Sequence, residues 1–272
     1  MESFLQFFEL MPSWQKLVWI IACLLFSWFL EGIYPLVKLN YQKWKHAGVN
    51  LVFLTTSLTI NVLFGILTVG IFSLIATYNI GLLYWIDLPI WVELLVTILF
   101  LDFVAQYVVH YYLHKISWMW RFHMIHHSDT KVDATTGTRH HPGDYVLREI
   151  AALVAILIIG APFAFYVVYK IVTIFFTYIT HANFNMPVWL DKPLSWVFIT
   201  PNMHKFHHHF ERPWTDTNFG NIFSFWDRIF GTFVYGNPSK VVYGLDVLDG
   251  NLDENIGYQF KIPFDNRIKT DY

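Results

Sequence analysis

Charge is scarce in this chain. Asp, Glu, Lys and Arg together make up 14% of 272 residues, against about 25% in a soluble domain. Neither sign dominates, since the net charge is −2, and without a basic excess nothing points to a nucleic-acid partner. Cysteine occurs once, at Cys23, which excludes an internal disulfide, a Cys-rich metal site and a C-x-x-C redox motif. No G-x-G-x-x-G segment is present either, so no haem, flavin or iron–sulfur domain is visible and electrons for any redox chemistry must come from outside. The N-terminus, Met1 to Ser13, lacks the basic region and small-residue cleavage site of a signal peptide. The first apolar segment is therefore expected to be retained as a span.

What the chain has in abundance is apolar surface. Hydrophobic residues reach 55%, and aromatic residues 19%. Mean hydropathy is +0.41. A bilayer-spanning helix needs roughly 20 mostly apolar residues. Candidates run from Trp14 to about Leu36, from Asn50 to about Thr77, and from near Pro89 to His114. Between Ile150 and Thr180 the only charge is Lys170, and Gly160-Ala161-Pro162 interrupts the stretch. As one helix it would be ~46 Å long, too long for a ~30 Å hydrocarbon core, so a hairpin with arms near 144–160 and 162–180 is expected. The reading is an all-α polytopic membrane bundle of four to five spans, or three spans plus a hairpin. All but Lys16 and Lys170 of the 18 Lys and Arg fall in the segments that carry the histidines, so the positive-inside rule puts that face in the cytoplasm. The membrane would be the inner membrane of a bacterium or the endoplasmic reticulum of a eukaryote. Three regions are expected: an N-terminal transmembrane part (1–98), a catalytic part (99–235) and a polar C-terminal tail (236–272), with the chain from Phe184 onward lying over the spans as a cytoplasmic cap.

The 13 histidines are not scattered. His110 and His114 are i and i+4. His123, His126 and His127 are i, i+3 and i+4, and His204, His207 and His208 repeat that spacing. Residues three and four apart share a helix face, so each group can aim two or three imidazoles at a common point. Imidazole is a common ligand for Zn, Cu, Fe and Ni. Adding His181 gives nine rings, enough for two metals at four or five ligands each. A dinuclear, histidine-dominated site follows, built from the end of the third span, the loop helix after it and the C-terminal cap. His141, fixed before Pro142, is a possible additional ligand or merely ends its segment. His46 lies in a basic loop and reads as solvated; His140 and His209 each neighbour a better-placed ring.

These motifs resemble the fatty acid hydroxylase/sterol desaturase superfamily of integral membrane di-iron enzymes over roughly Leu99 to Tyr235. LDFVAQYVVHYYLH matches the family's Asp…Tyr…HxxxH helix at Asp102, Tyr107, His110 and His114. WMWRFHMIHHSDTKVDATTGTRHHP is similar to its W-R-x-H-x-x-H-H-S segment with a trailing R-x-H-P, at His123, His126, His127, Arg139 and His141. HANFN resembles its H-x-N element (His181, Asn183). TPNMHKFHHH matches T-P-x-x-H-x-x-H-H (His204, His207, His208), and NFGNIFSFWDRIFGTF resembles the signature that follows (Asn218, Gly220, Trp226, Asp227, Gly231, Thr232). Three departures stand out: Tyr111 where many relatives have Arg, Asp144 where many have Glu, and the extra His209.

The resemblance implies two iron ions, dioxygen as co-substrate, two electrons from a separate redox partner or a reduced pterin, and a lipid C–H bond as target. Some members hydroxylate, some desaturate and some cleave ether lipids with a reduced pterin; the motifs do not choose among them. The nine histidines would be the iron ligands. Acids behind them should orient the rings by accepting their other N–H, with Asp102, Asp129, Asp133 and Asp227 as candidates and Asn183 from the H-x-N element. Asp102 could equally make a helix–helix hydrogen bond, and Asp129 and Asp133 could be solvated loop acids. The rival reading, a membrane metal-binding or transport protein, would put ligands near mid-bilayer; here they sit at a span end and in loops on one side.

Overall fold

The computed structural model describes residues 1–270, and its regular elements are all helical; strand pairing is limited to two isolated bridges, Pro35 with Phe184 and Phe198 with Phe223. After a short amphipathic α1 (Glu2–Glu9) come α2 (Ser13–Ile33) and α3 (Lys43–Tyr78). The third span is α4 (Ile90–Leu101), a π-helical stretch (Asp102–Val108) and α5 (Val109–Lys115) in direct succession. A loop helix α6 (Ser117–His127) leads to the hairpin α7 (Pro142–Ile159) and α8 (Phe163–His181). Short helices α9 (Val188–Leu194), α10 (Pro201–His207), α11 (Phe225–Ile229) and α12 (Ile256–Lys261) complete the chain.

Four helical stretches are long and apolar enough to cross a membrane: Ser13–Ile33, Lys43–Trp85, Ile90–Lys115 and Phe163–His181. α7 returns alongside them but starts with Asp144, Arg148 and Glu149. Apolar side chains such as Val62, Leu63, Ile66 and Val69 of α3 are exposed, which is stable only against lipid. Exposed Trp14, Trp85 and Trp91 ring one end of the bundle and Trp44, Trp118 and Trp189 the other, as aromatic residues do at the two membrane boundaries. The protein is an integral membrane protein.

The hairpin turn is fixed by backbone contact. Gly160 has φ +73°, and a Cβ there would lie 2.3 Å from the Ile80 carbonyl oxygen. Glycine is thus required twice over, for the left-handed conformation and for the close approach. At the opposite end the spans meet the histidine-bearing cap. Glu31 of α2 accepts from the backbone N–H groups of Ala134 (2.6 Å) and Asn183 (2.7 Å). Asn61, deep in α3, donates to the Tyr145 hydroxyl of α7, a helix–helix hydrogen bond.

Two expectations are corrected here. α3 begins at Lys43 rather than Asn50, and 36 residues make it longer than the bilayer core. Its first turns therefore project into the cap, and His46 is fully buried rather than solvated, with Nε2 3.3 Å from Asp129 Oδ2. The C-terminal stretch also clamps α6: Arg121 donates to the carbonyls of Pro263 (2.8 Å) and Ile268 (3.1 Å), and Ser128 Oγ to Gln259 Oε1 (2.8 Å). Arg139, wholly buried, ties Ile125 O (3.0 Å) and Asn50 Oδ1 (3.1 Å) to the Asp253 carbonyl.

Candidate metal centre

Nine imidazoles converge beneath the cap in two groups. His110, His114, His123, His127 and His207 form one, and His126, His181, His204 and His208 the other; within each, one nitrogen per ring lies within 4.8 Å of all the rest. All nine are at most 7% exposed. The groups adjoin, with the His127 and His208 ring centroids 4.7 Å apart.

Each H-x-x-H-H motif is split between the groups. His123 with His127, and His204 with His208, stay together, while His126 and His207 cross to the other group. At about 100° per residue, i and i+4 differ by only about 40°, while i+3 lies about 60° to the other side. One motif per helix therefore serves two centres rather than the common point expected from spacing alone.

Hydrogen bonds fix the tautomers. A carbonyl can only accept, so His110 Nδ1 donates to Phe219 O (2.8 Å), His207 Nδ1 to Thr217 O (2.8 Å) and His181 Nδ1 to Thr177 O (2.6 Å). His123 Nδ1 donates to Asp144 Oδ2 at 3.0 Å. The Nε2 lone pairs then face one another: His110 Nε2 is 3.0 Å from His123 Nε2, with no proton left to place between them. His123 Nε2 also lies 3.2 Å from His127 Nε2, and His181 Nε2 3.0 Å from His126 Nε2 and 3.1 Å from His204 Nε2; the Nδ1 atoms of His126, His127 and His204 have no partner, so these rings can hold their proton at either nitrogen. The His110–His123 lone-pair contact repels unless a cation sits between the rings. Nitrogens about 2.1 Å from one ion, at right angles, would lie about 3 Å apart, which is the spacing found. The Nε2 of His207 and both ring nitrogens of His208 are buried without a partner. The donor set fits two metal ions.

Protons do not supply the missing charge. Burial drives His123 down to about 4, against the opposing pull of Asp144, and His207 down to about 3. His126, His127, His204 and His208 are held well below the ordinary value, again first by burial and then by neighbouring imidazoles. The rings are neutral at physiological pH, the form that ligates metal.

The groups behind the rings differ from those the sequence suggested. None of Asp102, Asp129, Asp133, Asp227 and Asn183 accepts from any of the nine rings. Asp102 accepts from the N–H of Ile222 (3.0 Å) and Phe223 (3.2 Å) and from Trp226 (3.1 Å). It opens the π-helical stretch two turns before His110 and is taken up by the segment that follows the last histidines. Asp227 accepts from the N–H of Phe219 (2.7 Å) and Gly220 (3.0 Å), and so holds the loop whose carbonyl receives His110. Asp129 faces His46 and Thr136, and Asp133 caps its own turn and accepts from Tyr41. Asn183 ties the backbone of Val37.

The acids that do reach the rings are Asp144 and Asp216, the latter with Oδ1 3.4 Å from His114 Nδ1. The sequence did single out Asp144, as a departure from the family pattern; Asp216 carried no signal. His141 caps α7, its Nδ1 accepting from Gly143 N–H at 3.0 Å, and joins neither group. His140 donates from Nδ1 to Asp144 at 2.8 Å and stacks on His126. His209 pairs with the backbone of Val242.

Comparison with known proteins agrees with this arrangement. The chain is 31% identical over 134 residues to the ornithine lipid hydroxylase OlsE of Rhizobium tropici, covering 49% of this chain and 39% of that protein. It is 30% identical to the alkylglycerol monooxygenases of Homo sapiens (52% of this chain, 30% of that protein) and Caenorhabditis elegans (61% and 32%). The matched part thus spans 30–39% of the length of these relatives. No solved structure matches the chain. The fatty acid hydroxylase profile matches residues 94–232, half of the sequence and all nine clustered histidines, and the chain belongs to the fatty acid hydroxylase family.

Proposed function

We propose that the protein is a di-iron, dioxygen-dependent lipid hydroxylase, with the five-ring group holding one iron and the four-ring group the other. The observation that carries this reading is the convergence of nine buried imidazoles in two groups, with the Nε2 lone pairs of His110 and His123 facing one another without a proton to share. When bound, the irons supply activation of dioxygen with two electrons from an external donor, so that R–H + O2 + 2e− + 2H+ gives R–OH + H2O. The chain's own residues fix the geometry. Asp144 and the carbonyls of Thr177, Thr217 and Phe219 hold protons at Nδ1 and leave Nε2 free. Trp120 and Phe219, both buried, wall His114 from solvent. The rings sit at the ends of α5 and α8, so a lipid tail lying among the spans reaches them while its polar head stays at the boundary. The concentration of Lys and Arg on this side supports a cytoplasmic site.

Similarity to alkylglycerol monooxygenases supports a second reading, an ether-lipid monooxygenase fed by a reduced pterin. Product analysis on alkylglycerol and on acyl lipids, with and without reduced pterin, separates the two. For either, His126→Ala and His207→Ala should each abolish turnover while the protein still inserts and folds. Full activity in both variants, or purified protein that binds no redox-active metal, would overturn the proposal.

A further inference from the structure

The signature segment after the last histidines contains a cation that the proposed chemistry does not use. Arg228 lies on α11 with its guanidinium carbon 4.0 Å from the Trp196 ring centroid and 3.6 Å from that of Phe233. Nη2 donates to the Ser195 carbonyl at 3.2 Å, and Nε is buried with no acceptor. The adjacent Asp227 carboxylate is taken up by Phe219 N, Gly220 N and Thr232 Oγ1. Among the described residues no carboxylate forms an ion pair with Arg228, whereas Lys45, Lys115, Lys131 and Arg148 each have one.

Its surroundings are those of lipid. Trp189, Trp196, Val197, Ile229 and Phe230 are all exposed on this side. Their level is set by the spans: Phe230 packs on Phe103 (5.6 Å), and Phe198, close by in the chain, on Phe176 (5.5 Å). Phe103 and Phe176 are each 13 residues beyond the far-side start of their helices at Ile90 and Phe163, about 20 Å up a ~30 Å core. The patch is therefore continuous with the bilayer-facing surface, just inside its metal-side boundary. A cation at that depth extends toward the headgroup layer and needs an anionic partner there. With the Trp196 and Phe233 rings against the guanidinium, Nε closed off and Nη2 on Ser195, Nη1 is the N–H group left to meet a phosphate.

We propose that Arg228, clamped by Trp196 and Phe233, is a binding site for the phosphodiester of a membrane phospholipid, seated beside α9 and α11 with its acyl chains along the third span. The proposal is independent of the irons. The test compares phosphatidylglycerol, diacylglycerol with the same acyl chains, and inorganic phosphate, added to delipidated protein in detergent. Readouts are bound lipid by native mass spectrometry and thermal unfolding. Phosphatidylglycerol should bind and raise the unfolding temperature, while diacylglycerol and inorganic phosphate should not. Arg228→Gln should weaken phosphatidylglycerol binding about tenfold or more, and Arg228→Lys less so, with iron content unchanged. Equal effects of phosphatidylglycerol and diacylglycerol on the wild-type protein would overturn the proposal even if the glutamine variant failed to fold. So would a full response to inorganic phosphate alone, or undiminished lipid binding by folded Arg228→Gln.

Discussion

Replacing Asp144 by Asn tests the reasoning at its most constrained point. The carboxylate is completely buried and saturated with donors: Oδ2 receives His123 Nδ1 (3.0 Å) and His140 Nδ1 (2.8 Å), and Oδ1 receives Arg148 Nε (2.9 Å). An amide has one accepting oxygen. Whichever way it is turned, its NH2 group faces either the two imidazole N–H groups or the guanidinium. If the oxygen faces Arg148, His123 can flip to the other tautomer or rotate, and its Nε2 lone pair leaves the five-ring group. If it faces His123, Arg148 meets the NH2 group and loses its acceptor; the counter-charge is lost either way. Loss of such an orienting partner typically costs 10–100-fold in metal affinity, or about 1.4–2.7 kcal/mol. The loss should fall on one centre only, because no ring of the four-ring group contacts Asp144 directly. Metal content of purified protein, measured by elemental analysis after dialysis against chelators of increasing strength, should show the first iron leaving at a weaker chelator than in wild type. The second should leave where it does in wild type. Asp144→Glu, which keeps the charge, should recover most of the affinity. Retention of both metal ions at wild-type chelator strength by folded Asp144→Leu, which offers His123 no acceptor in any orientation, would refute the tautomer argument.

Other outcomes follow from the same geometry. His141→Ala should keep two irons per chain and lose only its cap, about 1 kcal/mol of stability; loss of an iron would return His141 to the ligand set. Gly160→Ala places a Cβ against the Ile80 carbonyl at a left-handed φ, and should destabilise the fold by more than the ~1–2 kcal/mol of the backbone conformation alone, read as a lowered unfolding temperature; an unchanged melting curve would show that the turn can relax. The metal-free protein should lose stability on acidification. His123 and His207 titrate near 4 and 3 in the fold and near 6.5 unfolded. The unfolded chain therefore takes up protons first, and stability present above pH 6.5 falls as pH drops toward 4, by at most about 1.4 kcal/mol per ring per pH unit. A melting temperature that stays flat or rises between pH 7 and pH 5 would contradict the burial argument.

The membrane architecture was largely legible because lipid imposes a length and a composition on each span. The uncharged stretch from Ala47 to Ile86 and the Gly160-Ala-Pro162 break read as a span and a hairpin, and both are present. Helix ends were less legible. α3 begins seven residues before the expected start because Lys43, Lys45 and His46 find Glu31, Glu254 and Asp129 as partners, all contributed by distant segments. Eight of the nine rings that converge were named from spacing, since the 3.6-residue repeat puts i and i+4 on one face whatever lies opposite; His181, outside any spaced group, was added to them.

What the sequence by itself determined is that nine imidazoles are presented from helices at one end of a lipid-embedded bundle, because composition sets the spans and helical periodicity sets the faces. Which rings share a centre, and which atom of each ring is free, was decided by tertiary structure. The answer depends on carbonyls of Thr177, Thr217 and Phe219 and on the carboxylate of Asp144. Apart from Thr177, one helical turn before His181, these acceptors reach their histidines only through long-range packing, and a backbone carbonyl leaves no mark in the identity of its residue.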